Sequence, residues 1–118
     1  MEAIQDLNVW SRSKTFAVDI YKAFAACKDR GFKDQITRAS VSIPSNIAEG
    51  YDRNSKKEFA RYLNIAKGSC AEVRTQLYIS EETGLIDEQD ARKLTKESLE
   101  ITKMLQGLIN HCKKQINT

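Results

Sequence analysis

Residues 43–51 read Ile-Pro-Ser-Asn-Ile-Ala-Glu-Gly-Tyr, and they place a proline inside a segment whose apolar spacing is otherwise helical. Small and apolar residues recur there every three or four positions, at Ile36, Ala39, Ile43, Ile47 and Gly50. This spacing predicts one helix face, which begins near Asp34, a residue type that caps helix N-termini. A proline in a helix interior removes a backbone hydrogen bond and costs roughly 3 kcal/mol, so Pro44 either kinks or breaks this helix.

The helix that follows has the best-defined start in the chain. Ser55 and Glu58 form the capping-box pattern, in which each side chain satisfies a free backbone N–H at the helix N-terminus. An apolar face then continues as far as Gly84, a residue that favours the left-handed conformation with which helices end. That face consists of Phe59, Leu63, Ala66, Cys70, Val73, Leu77 and Ser80.

Two further helices flank this pair. The first carries an apolar stripe, ended by Gly31, that consists of Phe16, Ile20, Phe24 and Cys27. The last is expected to begin at Asp87, and its seam alternates steps of three and four residues, as in helical bundles. The seam residues are Ala91, Leu94, Ser98, Ile101, Leu105, Leu108 and Cys112.

These four segments predict an all-α protein, since none shows the sustained period-two alternation that is typical of strands. Connections of only a few residues make consecutive helices antiparallel neighbours. We therefore expect an up-down-up-down antiparallel four-helix bundle, a single domain over residues 1–118 with Pro44 in its second helix. Gly68 and Gly107, inside helices, indicate places where another backbone approaches closely.

Apolar residues also lie outside the predicted core faces. They are Tyr62, Ile65 and Tyr78 in the third helix and Leu99, Met104, Ile109 and Ile116 in the fourth. A helix in a bundle needs about three apolar positions per heptad, so this surplus favours a second buried face and hence oligomerisation. The alternative is a set of scattered, exposed apolar side chains, which ordinary protein surfaces tolerate.

Composition excludes several classes of protein. The 118 residues are 41% hydrophobic and 30% charged, and no apolar run approaches the roughly 20 residues that span a bilayer. Residues 1–6 carry acids where a signal peptide would carry basic residues, so we expect a cytoplasmic protein. Cys27, Cys70 and Cys112 are too far apart for a metal motif, and we interpret them as small core residues.

An enzymatic function is not indicated. His111 is the only histidine, and no Glu-x-x-His motif is present for a metal centre in the bundle. The sequence also lacks a glycine-rich phosphate loop and a nucleophile that could be paired with a base. We therefore expect neither a metal nor a cofactor.

The region after residues 43–51 is strongly basic. Against the single acid Glu58, residues 53–67 carry five positive charges, from Arg53, Lys56, Lys57, Arg61 and Lys67. Lys57 and Arg61 are four residues apart and share one helix face, which suits a phosphate backbone. The whole chain carries only +3. Two hypotheses stay open, a nucleic-acid-binding face and a solvated helix face with local ion pairs.

The cluster around the proline comprises Pro44, Ser45, Asn46, Glu49 and Gly50. Pro44 frees the carbonyl four residues earlier, and neighbouring polar side chains or a water are expected to satisfy it. Glu49 is a candidate ion-pair partner for Arg53, Lys56 or Lys57. We interpret the cluster as a structural joint, and the alternative is a polar site for a ligand or partner at the kink.

The same residues carry a resemblance to a known family. Residues 43–51 and the residues that follow strongly resemble the four-helix-bundle proteins encoded in 23S rRNA intervening sequences. The matching positions beyond residue 51 are Arg53, Ser55, Glu58, Phe59, Tyr62, Leu63, Ala66, Gly68 and Ser69. Residues 6–10, which begin with Asp6, and residues 20–22 resemble the first helix of that family, whereas the fourth helix matches only by length and pattern.

The resemblance implies a left-handed bundle that assembles into a homopentamer. It also implies kinship with the accessory protein of diversity-generating retroelements, a basic pentamer whose expected partners are nucleic acid and a reverse transcriptase. We therefore expect a non-enzymatic homo-oligomer without a membrane partner, which binds RNA or DNA, above all structured RNA, through its basic helix face. The alternative is a protein–protein scaffold or adaptor that does not bind nucleic acid directly.

Overall fold

A computed structural model of the protein describes residue 4 and residues 7–116, so the resemblance at Asp6 lies outside the described residues. The regular structure within residues 7–116 consists of four α-helices and includes no strand. They are α1 (Asn8–Ala23), α2 (Arg30–Tyr51), α3 (Lys56–Thr83) and α4 (Glu88–Ile116). The predicted all-α class is confirmed.

Each helix packs against two others. α2 contacts α1 and α3, and α4 contacts α3 and α1, so the helices form a ring in chain order. α3 and α4 have 28 and 29 residues, which at about 1.5 Å per residue span roughly 42 Å. The molecule measures 49 × 21 × 20 Å, so these two helices run along most of its length. The predicted up-down-up-down four-helix bundle is confirmed.

Polar caps fix the start of α3 and α4 as the sequence predicts. Ser55 Oγ accepts a hydrogen bond from the Glu58 backbone N–H at 3.3 Å, and Asp87 Oδ1 accepts one from the Gln89 backbone N–H at 2.8 Å. These bonds satisfy N–H groups that have no partner within their own helix. At its other end, α3 stops at Gly84, which adopts the left-handed conformation with φ 71°.

The connection between α1 and α2 differs from its prediction. The Asp29 carboxylate accepts a hydrogen bond from the Phe32 backbone N–H at 3.0 Å and so caps α2 earlier than expected. Gly31 therefore lies in the first turn of α2, and the predictions that Gly31 ends the first helix and that Asp34 starts the second were wrong. An aspartate cap contributes about 1 kcal/mol, which offsets the similar cost of a glycine inside a helix.

α2 continues through Pro44 without a break, so the second of the two expected outcomes, a broken helix, is excluded. The side-chain amide of Asn46 donates a hydrogen bond to the Ser42 carbonyl at 2.7 Å, and the Ser42 hydroxyl donates one to the Ala39 carbonyl at 2.6 Å. Polar side chains near the proline therefore bond to the backbone of their own helix. The predicted core face of α2 is buried at all five positions.

α4 departs from its predicted seam near its C-terminal end. Ile109 is fully buried, whereas Leu108 packs only partly against the core. An α-helix has 3.6 residues per turn, so a seam that repeats every 3.5 residues drifts by about 20° per heptad. Over more than two heptads this drift turns Ile109 onto the core in place of Leu108. The prediction that Ile109 belongs to a second apolar face was therefore wrong.

Two of the three cysteines are core residues, as predicted. Cys70 and Cys112 are buried, and burial raises the pKa of both thiols. Cys70 Sγ also donates to the Ser98 carbonyl at 3.2 Å. Cys27 instead lies half-buried in the α1–α2 connection, because α1 ends before reaching it.

A close approach of two helices occurs at a glycine other than those predicted. Cβ atoms built on Gly68 and Gly107 would meet no neighbouring atom within 4 Å, so within one chain the prediction for these residues was wrong. A Cβ atom on Gly50 would lie 2.5 Å from Tyr62 Cβ and 3.2 Å from Phe59 Cδ1. Gly50 therefore allows the last turn of α2 to lie directly against α3.

Candidate nucleic-acid interface

One end of the bundle collects positive charge from two helices. It contains the α2–α3 turn and, because the helices are antiparallel, the C-terminal turns of α4. Lys67 Nζ donates to Gln106 Oε1 at 2.7 Å, and the charge of Lys56 opposes the rise in the pKa of the Cys112 thiol. Both place the first half of α3 beside the second half of α4. We call this region the basic end, and it comprises Arg53, Lys56, Lys57, Arg61, Lys113 and Lys114.

Two arginines of the basic end stack on the same tyrosine. The Tyr62 ring centre lies 5.1 Å from the Arg53 guanidinium carbon and 4.7 Å from that of Arg61. Arg53 Nη2 also donates to the Tyr62 hydroxyl at 2.8 Å, and this hydroxyl donates to Glu49 Oε1 at 3.3 Å. Tyr62 is 8% exposed, so it anchors both guanidinium groups rather than offering a free aromatic face.

Carboxylates hold the same two arginines from the side. Arg53 Nη2 lies 3.1 Å from Glu49 Oε1, and Arg61 Nε lies 3.1 Å from Glu58 Oε2. The hydrogen bond from Arg61 holds the pKa of Glu58 below its usual value. The predicted pair between Glu49 and Arg53 is confirmed, and Glu49 takes this partner in place of a lysine of α3. Both arginines are therefore oriented, and their charges are partly compensated.

Lys56 and Lys57 carry charge that is not compensated in this way. Both side chains are exposed, and neither forms an ion pair with any residue that the structure describes. Lys56 also borders a shallow groove of about 260 Å³ between Tyr51 and Phe59. These two lysines are the most available cations of the predicted set.

The five residues predicted from sequence come together only in part. Lys67 is half-buried and bonded to α4, six residues beyond Arg61 along α3, so it stands apart from the basic end. The sequence reasoning followed α3 alone and missed Lys113 and Lys114, which are exposed on α4. Counting antiparallel positions from the α3–α4 turn would have found them.

The opposite end of the bundle has the reverse charge on its α3–α4 side. Arg92 pairs there with Glu81 at 2.7 Å and with Glu88. The acids on this side are Glu81, Glu82, Asp87, Glu88 and Asp90, and they outnumber the neighbouring bases, Arg92 and Lys93. The charge on the α3–α4 side of the bundle is therefore polarised along the long axis.

The residues of the cluster around the proline lie in different environments and do not form one site. Ser45 is exposed, Asn46 bonds to its own helix, Glu49 holds Arg53, and Gly50 is buried against α3.

In the part of the chain that the structure describes, no group of histidine, cysteine or acidic residues is arranged to hold a metal ion. None of the described helices combines the length and the apolar character needed to cross a membrane.

The chain is similar to proteins known from sequence and from structure. A family model described as 23S rRNA-intervening sequence protein matches residues 5–107. A crystal structure of a protein of unknown function, from the S23 ribosomal protein family of Bacteroides thetaiotaomicron, is 28% identical in sequence with a TM-score of 0.80. The match covers 86% of this chain and 95% of that one. No curated protein matches the chain.

Proposed function

We propose, from the premise that this chain belongs to the 23S rRNA-intervening sequence protein family, that it is a cytoplasmic, non-enzymatic homo-oligomer that binds structured RNA. The basic end is the proposed contact surface. The oligomer is proposed to be a pentamer, as the resemblance to the intervening-sequence family implies. Each assembly would then present several basic ends to one nucleic acid.

The observation that carries this proposal is the polarised charge on the α3–α4 side of the bundle. Exposed lysines from α3 and α4 meet at one end, while acids collect on the α3–α4 side of the other. Neutralising phosphates releases condensed counterions, so affinity grows with the number of cations that reach the backbone. A bundle with this charge distribution would approach nucleic acid with the basic end first.

The arginines and lysines of the basic end are suited to different contacts. Arg53 and Arg61 are held by Tyr62 and by one carboxylate each, so their planar groups are already oriented for phosphate oxygens. Lys56 and Lys57 are exposed point charges without an ion-pair partner among the described residues, and they adapt to the backbone. Because Tyr62 is covered by the arginines, stacking on single-stranded bases receives no support. Shape and phosphate recognition of duplex RNA is the better fit.

Reversing the two free lysines tests the proposed surface. We expect Lys56→Glu combined with Lys57→Glu to weaken binding to an RNA hairpin at least about tenfold. The slope of log affinity against log salt should fall by about 2, since each lost phosphate contact removes roughly one unit. Fluorescence anisotropy titrations at several salt concentrations measure both quantities.

Lys93→Glu combined with Lys96→Glu is the matched control, because it makes the same charge change on exposed positions of α4 away from the basic end. This variant should keep most of the affinity. Equal losses in the two variants would show that only net charge matters. No binding of the unaltered protein at low salt would contradict the proposal and leave the protein–protein scaffold as the better hypothesis.

Exposed apolar side chains support the oligomeric part of the proposal. Tyr78 is 49% exposed and Leu99 is 43% exposed, although both are large apolar residues. Light scattering is expected to give a mass near five times the 13.4 kDa of one chain. A mass of one chain would contradict the proposed assembly but not RNA binding by the basic end.

A further inference from the structure

An apolar groove runs along the outside of the bundle between α1 and α2. Its volume is about 370 Å³, and its surface is almost wholly apolar. Tyr21 and Val41 also border a neighbouring groove of about 320 Å³ that reaches Arg38 and Asp34, so the two form one continuous channel. We call this channel the α1–α2 groove, and its apolar walls are Val18, Tyr21, Val41 and Pro44.

The walls of the α1–α2 groove are unusually accessible for apolar side chains. Val18, Tyr21 and Val41 are 45%, 51% and 40% exposed. Contiguous exposed apolar surface of this kind marks an interaction site more often than single exposed residues do. We therefore expect a binding partner to cover the groove.

Cations line the rim of the α1–α2 groove. Lys14 and Lys22 flank the apolar walls, and Arg38 lies beyond Val41 with Asp34 beside it. None of the three cations forms an ion pair with a residue that the structure describes. A partner that fits this groove carries apolar side chains in line and acids beside them.

The outer face of α3 carries apolar side chains in line with acidic side chains beside them. Ile65 and Ile79 are 41% and 44% exposed, and Glu72 and Glu82 are exposed on the same face without an ion-pair partner among the described residues. The steps of seven, seven and three residues keep all four side chains on one side of the helix. We call them the α3 stripe.

We propose that the α1–α2 groove binds the α3 stripe of a second copy of this chain, an inference that rests on the proposed homo-oligomer. The glutamates of one copy meet Lys14, Lys22 and Arg38 of the next, while its Ile79 covers Tyr21 and Val41. Residues 72–82 and residues 34–44 each advance ten positions along their helices, or about 15 Å, so the part of the α3 stripe from Glu72 to Glu82 matches the groove in length.

This contact joins two different surfaces and is therefore heterologous. Each copy keeps a free groove on one side and a free stripe on the other, so addition continues until the ring closes. The basic end contains neither Val41 nor Ile79, and its lysines stay free to bind RNA. Assembly and RNA binding therefore use separate residues of the same chain.

Single charges placed at the centre of each surface test the contact. We expect Val41→Glu and Ile79→Glu each to lower the mass measured by light scattering to the 13.4 kDa of one chain. Asn110→Glu, which places the same charge on an exposed position of α4 outside both surfaces, should keep the mass of the unaltered protein. Far-ultraviolet circular dichroism confirms that the variants keep their helices.

Exchanging the charges tests that the two surfaces meet each other. Lys22→Glu should lower the mass, and adding Glu82→Lys should restore it; Arg38 and Glu72 are left unchanged because they border the same groove within one chain. Failure of this rescue, an unchanged mass for either Val41→Glu or Ile79→Glu, or an equal loss in Asn110→Glu would overturn the inference while leaving the proposed oligomer intact. A single-chain mass for the unaltered protein would overturn both.

Discussion

Replacing Gly50 with alanine is expected to lower the free energy of unfolding by about 1–3 kcal/mol, the usual range for overpacking a well-packed site. The new methyl group would lie 2.5 Å from Tyr62 Cβ. Because this Cβ atom is bonded directly to the α3 backbone, a rotation of the Tyr62 side chain cannot relieve the clash. The last turn of α2 must therefore shift away from α3. Urea unfolding followed by circular dichroism measures the loss.

Gly68→Ala and Gly107→Ala are the matched controls for this prediction. Both glycines are exposed helix residues with open space at the Cβ position. Alanine has the higher helix propensity, so each change should raise the stability of the chain by up to about 1 kcal/mol. A gain in stability for Gly50→Ala similar to that of the controls would contradict the close approach.

Replacing Ile109 with alanine is expected to lower the free energy of unfolding by about 2–5 kcal/mol. Its side chain is fully buried in the core, so truncation removes apolar contacts and leaves a cavity. The same urea experiment measures this loss. It also tests whether α4 buries Ile109 or the adjacent Leu108 against the other helices.

Leu108→Ala removes a side chain of the same size one position earlier. Leu108 packs only partly against the core, so its truncation should cost clearly less than that of Ile109. The opposite order would mean that α4 follows the strict heptad seam expected from its sequence. Equal costs would place both side chains at the edge of the core.

The parts of the fold that were predictable from sequence are those that local chemistry determines. Ser55 and Asp87 are residue types that cap helices, Gly84 is the usual residue for a left-handed stop, and each does so here. Asp29 was missed because a glycine two residues later suggested a helix end. The burial of Ile109 was missed because the difference between a 3.5-residue apolar repeat and the 3.6-residue turn of the helix becomes large only after several turns.

The candidate site was predictable along one helix but not across two. Lys56, Lys57 and Arg61 are close in sequence, so a basic face on α3 is visible without a structure. Lys113 and Lys114 join them only through the antiparallel packing of α4. The position of Tyr62 between two arginines was also missed, because its spacing is equally compatible with the core or an interface.

The order in which the helices pack has a consequence for how the chain leaves the ribosome. α1, α2 and α3 each pack beside the helix that precedes or follows them in the sequence, so they can associate as soon as they emerge. The contact of α1 with α4 joins residues as distant as Arg12 and Glu97, 85 positions apart. Until α4 has been synthesised, the apolar sides of α1 and α3 that face it stay uncovered. The nascent chain is therefore most prone to aggregation just before its last helix is complete.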